Sequence, residues 1–333
     1  MSGALPRIAV IGLGNMGLRH VRIVAGSDRA ALSAVVDVNP TTLELATKEF
    51  GVPGYGSLDE LFEHETLDAA IICTPDGLHV EPSLECFDRG LPVLLEKPIA
   101  TTMADAQVIA QAAEDAGLPL VVGHCLRYDA KYVLLKQRID NGDLGEILSV
   151  TTRRQNRQSL QEILRGRVTS PMFLGVHDYD IINWYLDAKP ESVNAAAVRK
   201  LMPSKGFEID DITYATFRYE GGLVGQTETG WLLPDSYPVG FHFELDVFGT
   251  RGTAHLEYFD EGIYVSGATW EQPTLGDRLT PQLHHFLDCA AGRAEPLTGA
   301  TPSILAMQMA LAVDDSARSL RTVSLASTDA PNT

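Results

Sequence analysis

Residues 7–25, RIAVIGLGNMGLRHVRIVA, decide the fold of the chain, and the rest is read outward from them. RIAVI (7–11) is a short, continuous apolar run of the kind a buried parallel strand shows. Gly12-Leu-Gly14-Asn-Met-Gly17 follows at once and fits G-x-G-x-x-G, opening a helix that runs to Ala25. In such a turn Gly12 permits the tight bend and Gly14 lets backbone N–H groups approach a pyrophosphate. Gly17 lets helix and strand pack closely. Asn15 and Met16 complete the loop, and the positive end of the helix faces the phosphates.

Asp37 lies 20 residues beyond Gly17, at the end of the next strand, ALSAVVD (31–37). A carboxylate there can bond the adenosine ribose hydroxyls and would repel a 2′-phosphate, so the reading is NAD in preference to NADP. The alternative for Asp37 is a turn or capping role with Asn39. Further along, short apolar runs alternate with helical periods: DAAIICT (68–74), PVLLE (92–96) and LPLVVGH (118–124) read as buried strands. Pro40 suits a first helical position, Ser57 to Glu60 is a capping-box signature, and Gly90 and Gly117 suit helix stops. The pattern is that of an α/β, doubly wound parallel sheet over residues 1–125.

From about Tyr128 the texture changes. A helix over Ala130 to Asn141 is followed by alternating runs (EILSVTTRR, ESVNAAAVRK, DITYATFRY, LVGQTETGW, FHFELDVFG), with helical segments at Met172 to Tyr185 and Thr301 to Arg321. Phe243, Leu245 and Val247 alternate with His242, Glu244 and Asp246, as in a sheet with one packed face. Residues 126–325 therefore read as an α+β domain on a large, mostly antiparallel sheet. Residues 326–333 read as a flexible tail.

Composition narrows the function classes. Among 333 residues, 26 Lys and Arg stand against 44 Asp and Glu, a net charge of −18 that disfavours nucleic-acid and anionic-membrane partners. No apolar stretch reaches the ~20 residues of a spanning helix. Glycines interrupt the N-terminal apolar run and no small-residue cleavage site follows it, so an export signal is not read. Cys73, Cys86, Cys125 and Cys289 are scattered without zinc spacing, which fits a reduced cytoplasmic setting and no metal site.

Ligands bind outside the carboxyl ends of parallel strands. Cys73-Thr-Pro-Asp-Gly-Leu-His79 and Glu96-Lys97-Pro98 fall there. A lysine at such an end can hold a substrate hydroxyl, although an ion pair with Glu96 is the plainer reading. Pro98 favours a fixed turn that can be cis. His124, Arg127 and Tyr128 follow the last strand of the parallel sheet and are candidates to face substrate, with packing an equal reading for Tyr128. Arg153, Arg154, Asn156 and Arg157 suit a polyol or acidic sugar, or an edge strand blunted by charge. His20 reads as structural, Trp231 and His242 as packing or interface residues, and the His284-His285 pair as a helix surface pair.

IAVIGLGNMGLRH, CTPDGLHVE, LLEKP, VGHCLRYDAKY, GDLGEI and GVHDYDIINWYL, in that order, resemble the Gfo/Idh/MocA oxidoreductases, the glucose-fructose oxidoreductase and inositol dehydrogenase family. The likeness runs motif by motif from residue 7 to about 187. It implies NAD(P)-linked chemistry on a sugar or cyclitol hydroxyl, an open sheet in a C-terminal domain (126–325) that binds substrate, and a homodimer or homotetramer through that sheet. It implies that Lys97 contacts substrate and the nicotinamide region, that Thr74, Pro75 and His79 form a cofactor-side loop, and that Glu96 lies beside the nicotinamide. His177 matches the histidine of the family's D-x-x-x-H motif, but Phe173 stands where that motif has aspartate. Three consequences are open: Lys97 as main proton acceptor assisted by His177 (favoured), Asp180 as a substitute acid, or lost dehydrogenase activity. The readings are an NAD-dependent dehydrogenase acting on CH–OH, an enzyme recycling NAD for epimerisation, elimination or glycoside cleavage, and a non-catalytic NAD-binding regulator.

Overall fold

The computed structural model describes residues 4–259, 263–265, 269–271 and 277–325. It divides into two compact units, residues 1–128 with 277–304, and 129–276 with 305–333. The sequence division at 125/126 is close to the first of these boundaries. The second segment of the first unit carries no glycine motif or composition change to announce it. The tail at 326–333 lies outside the described residues.

In the first unit, β1 (Arg7–Ile11), α1 (Asn15–Ala25), β2 (Ala31–Val36), α2 (Pro40–Phe50), β3 (Gly54–Tyr55), α3 (Leu58–His64), β4 (Ala69–Ile72), α4 (Val80–Asp88), β5 (Val93–Leu95), α5 (Met103–Ala116) and β6 (Leu120–Val122) follow one another. The six strands form one sheet in the order β3-β2-β1-β4-β5-β6, parallel throughout. Ile8, Val10, Val35, Ile71, Leu94 and Val121 make one buried core, which is why these strands are continuous apolar runs. Only β3 escapes the sequence reading, since two residues carry no periodicity. Helix ends fall where capping chemistry puts them. Asn39 accepts from Thr41 and Thr42 N–H, and Ser57 Oγ accepts from Glu60 N–H. Gly90 and Gly117 hold φ of +76° and +63°.

The second unit holds α6 (Ala130–Asp140), β7 (Ile147–Arg157), α7 (Leu160–Leu164), α8 (Val176–Leu186), β8 (Pro190–Val198), α9 (Leu201–Ser204), β9 (Ile212–Tyr219), β10 (Val224–Leu233), β11 (Phe241–Gly249), β12 (Thr253–Glu257), β13 (Ile263–Val265) and β14 (Thr269–Glu271). The chain then forms α10 (Leu279–Ala290) in the first unit, α11 (Ala300–Ser319), within which the division falls, and β15 (Val323–Ser324) in the second. Nine strands form a sheet in the order β14-β13-β12-β11-β7-β10-β9-β8-β15. Every pairing is antiparallel except β7 with β10. The edge reading of the Arg153 to Arg157 segment is corrected here. β7 is interior, flanked by β10 and β11, and Arg153 pairs across both neighbours with Glu228 (3.2 Å) and Glu244 (3.1 Å).

Residues 277–304 complete the first unit. Leu283, Phe286, Leu287 and Cys289 of α10 join the core of the parallel sheet. Arg29 pairs with Asp288 at 2.6 Å. Val122 N donates to Thr298 O at 2.7 Å, and Thr298 Oγ1 donates to Val122 O at 2.8 Å.

Candidate active site

The strand order reverses between β1 and β4, and the glycine loop stands at the carboxyl end of β1. Gly12 holds φ +90°, and a Cβ there would lie 2.7 Å from the Cys73 and Thr74 backbone. At Gly17 a Cβ would fall 1.8 Å from Gly12 O. Both positions therefore need glycine for the close approach of loop, helix and β4. Gly14 differs: it caps α1 without a side-chain bond, and a Cβ there meets nothing within 4 Å. Open space over a helix N-terminus is what a bound pyrophosphate needs. Asn15 and Met16 begin α1 beside it. Asp37 follows β2, and its carboxylate accepts from Leu13 N–H (2.6 Å) and Asn39 N–H (2.7 Å). The turn role weighed for Asp37 is thus real, and it pins the glycine loop to the end of β2. Lone pairs remain on both oxygens for ribose hydroxyls. The loop, the open helix end and the acid fit a dinucleotide.

Two histidines fix the next two strand ends. His79 Nδ1 bonds Pro98 O (2.9 Å) and its Nε2 lies 3.0 Å from Thr74 O, so the ring ties the loop after β4 to the loop after β5. His79 is buried, and its contacts with backbone carbonyls make it a strut. Thr74 Oγ1 donates to Leu78 O, and Pro75 leads into the turn at Asp76–Leu78. On the other side, His20 Nε2 bonds Glu96 Oε1 at 2.9 Å, both side chains buried. Glu96 Oε2 accepts from Lys97 N–H at 3.2 Å. Burial pushes the Glu96 carboxyl up, but the His20 bond and the Lys97 cation outweigh it and hold it below the usual carboxylate range. Lys97 joins a cis peptide to Pro98, as the sequence reading allowed. Lys97 thus lies between two neighbours that histidines pin, Glu96 before it and Pro98 after it.

His124, Arg127 and Tyr128 leave β6 and are buried. Arg127 Nη1 donates to Leu297 O at 3.3 Å. Tyr128 OH lies 3.3 Å from Thr298 Oγ1, and its ring packs on His285. The packing reading given to Tyr128 is the one these contacts support.

In the second unit Arg154, named as a substrate contact, is bound by Asp178. Its Nε and Nη2 reach the carboxylate at 2.9 and 2.8 Å, and both residues are buried. Burial disfavours the guanidinium charge, but the Asp178 carboxylate more than compensates and raises the Arg154 pKa. A guanidinium so engaged braces β7 against α8. Asn156 is half-buried and accepts from Arg157 N–H at 2.8 Å. His177 is half-buried near the start of α8, and Asp180 is buried one turn later. Before them, Pro171–Gly175 forms a π-helical turn in which Val176 N–H reaches Pro171 O, a wider turn common at functional sites. Phe173 sits in that turn and packs with Leu164, Val168, Leu174, Met202, Ile209 and Trp231, its ring centroid 5.8 Å from that of Trp231. An apolar cluster therefore occupies the position at which the resemblance implies a carboxylate.

Sequence reasoning missed the roles of His20 and Asp178. For His20 the signal was its place three residues after Gly17, on the helix face that packs on the sheet. For Asp178 no signal existed, because its partner lies on another element.

Comparison with known proteins agrees with this geometry. The family model described as "Oxidoreductase family, NAD-binding Rossmann fold" matches residues 6–124, and "GFO/IDH/MocA C-terminal domain" matches 132–255. A myo-inositol 2-dehydrogenase of Thermotoga maritima is 28% identical over 288 residues, 85% of this chain and 83% of the relative. A 2,7-anhydro-N-acetylneuraminate hydratase of Escherichia coli is 27% identical over 287 residues, 84% of this chain and 71% of the relative. The structure of a Lactobacillus casei scyllo-inositol dehydrogenase with bound NAD(H) and scyllo-inositol aligns with a TM-score of 0.82 at 21% identity. It covers 97% of this chain and all of that one. With both family models matched in order on the two units, this chain belongs to the Gfo/Idh/MocA family of oxidoreductases, and its first unit is an NAD-binding domain.

Proposed function

We propose that the chain is an NAD-dependent dehydrogenase acting on a secondary hydroxyl of a cyclitol or pyranose sugar, with Lys97 as the proton acceptor. The observation that carries this reading is the seat of Lys97: a strand-end amine beside a carboxylate, its two neighbours pinned by His20 and His79. Gly12, Gly14, Asn15, Met16 and Gly17 would hold the pyrophosphate and Asp37 the adenosine ribose, with Thr74, Pro75 and Glu96 on the cofactor side. When bound, NAD supplies the acceptor for the hydride leaving the carbinol carbon. The neutral Lys97 amine takes the hydroxyl proton as the C–O bond becomes a carbonyl, and the resulting ammonium stabilises developing alkoxide charge. His177 is the candidate assisting group, and Asp180 and Asn156 are further candidates to contact substrate. Because Phe173 lies in an apolar cluster, no carboxylate polarises His177 from that position, which leaves the proton chemistry to Lys97.

Four free cysteines support a reducing, cytoplasmic setting. Exposed Arg153, Tyr214 and Thr216, which alternate with buried residues along β7 and β9 of the nine-stranded sheet, support a homodimer or homotetramer through that face. The 27% identity to a hydratase supports a second reading, in which NAD is recycled while a neighbouring C–H bond is broken.

A panel of inositols, aldoses and uronates assayed with NAD and NADP tests the choice. Net NADH formation on a polyol, preferring NAD, is the expected result. Turnover without net NADH, with deuterium exchange beside the carbinol carbon, would move the assignment to the second reading.

A further inference from the structure

The buried residues of the first unit include one imidazole that packing does not account for. His20 is 1% exposed, and its Nδ1 is a buried atom without a hydrogen-bond partner among the described residues. An apolar side chain would fill that place on α1 without stranding a polar nitrogen. What the ring does make is the 2.9 Å bond to Glu96 Oε1. An ionised carboxylate can only accept, so Nε2 donates. Oε2, the other oxygen, accepts from Lys97 N–H, and Gly123 closes over it so tightly that a Cβ there would stand 2.9 Å away. The carboxylate is thus held at three points: an imidazole, a peptide N–H and a glycine backbone.

We propose that His20 is a positioning residue for Lys97. By donating to Glu96 it fixes the carboxylate, which in turn fixes the peptide from which the lysine emerges and the negative charge beside the lysine amine. The proposal rests on the reading of Lys97 as proton acceptor. The groups that face Glu96 are His20 from α1, Cys73 from the end of β4, and Lys97 itself. Burial and the Glu96 charge push the Cys73 thiol well up, so it stays neutral and the charge balance at Glu96 is set by the histidine and the lysine. A fixed carboxylate favours the ammonium form of its neighbour and makes the amine a stronger base when it is free.

Three variants of the full chain test this: His20→Met, which keeps bulk without a donor, His20→Gln, which keeps an N–H donor, and Glu96→Gln, which removes the charge. The first measurement needs neither substrate nor cofactor. The rate of Lys97 acetylation is followed by mass spectrometry across pH. Its midpoint should fall by about one unit in Glu96→Gln, less but in the same direction in His20→Met, and should stay near wild type in His20→Gln. The second is steady-state turnover: in His20→Met kcat should fall about 10- to 100-fold with KM for the polyol little changed, and His20→Gln should recover most of it. Wild-type labelling and kcat in His20→Met overturn the proposal. So does a His20→Gln variant as impaired as His20→Met, which would mean a packing role. Should His20→Met fail to fold, an unshifted labelling midpoint in Glu96→Gln overturns it instead. If the wild type turns over no polyol, the reading of the reaction falls while the labelling midpoints still decide the role of His20.

Discussion

The two units carry their candidate chemistry in opposite ways. In the first, the glycine loop is dictated by backbone, Gly12 and Gly17 because no Cβ fits, and Lys97 is seated by its chain neighbours Glu96 and Pro98, which His20 and His79 pin. In the second, the residues that matter are dictated by side-chain partners brought together from distant elements: Arg154 of β7 on Asp178 of α8, and Phe173 on Trp231 of β10. A backbone requirement leaves a motif of fixed spacing in the sequence. A partnership across the fold leaves none.

The largest expected effect belongs to Lys97. Lys97→Met should lower kcat by about 10³-fold or more while NAD affinity, followed by calorimetry, stays within a few-fold. Retained turnover would break the claim that the first unit's chemistry sits on one amine. Next come the glycines. Gly17→Ala places a methyl against Gly12 O and should abolish NAD binding with a clear loss of thermal stability. Gly14→Ala, with open space at its Cβ, should fold as the wild type and lose cofactor affinity alone. Equal melting temperatures for the two would contradict the close-packed loop.

For the second unit, Arg154→Met leaves Asp178 buried without its cation and should cost about 3–5 kcal/mol in denaturant unfolding. A paired Asp178→Leu change should return much of that. Phe173→Asp, which restores the family's residue, should destabilise by about 2–4 kcal/mol and bring no gain in kcat, because the carboxylate would enter the cluster around Trp231. A rise in kcat would show that the π-helical turn can present that position to substrate.

How far the sequence goes follows from the same contrast. Five strands of the parallel sheet, the glycine loop, the capping residues Asn39 and Ser57 and the turn at Pro98 were legible because each is a local requirement: a continuous apolar run, a value of φ, a missing Cβ or an unsatisfied N–H. The alternation in β11 likewise announced its packed face. The engagement of Arg154 by Asp178 was not legible, and neither was the interior place of β7, since strand order is not written in any one strand. His79 was expected on the cofactor side, yet both of its ring nitrogens meet carbonyls, which no reading of CTPDGLHVE discloses.

The smallest effect is electrostatic. Burial, with help from the Asp210 charge, pushes the Asp314 carboxyl up to about 6, against a hydrogen bond from Thr169 and the Arg318 cation. A carboxyl raised on folding contributes stability that is complete below its unfolded value near 4 and is lost as pH rises through about 6. Asp314→Asn stays neutral throughout, so its stability advantage in denaturant unfolding should grow between pH 5 and pH 7.5, by about 1–2 kcal/mol. An advantage that does not change with pH would mean that burial does not raise the Asp314 carboxyl.

The return of residues 277–304 to the first unit bears on how the molecule is made. Leu283, Phe286 and Leu287 join the core of the parallel sheet, and Thr298 pairs with its last strand. On the ribosome, the nascent coenzyme lobe must therefore wait with an apolar flank uncovered while about 150 further residues are translated, several seconds or more at ~5–20 residues per second. A nonsense codon anywhere in that interval would release a protein whose nucleotide motif is complete and whose lobe is not.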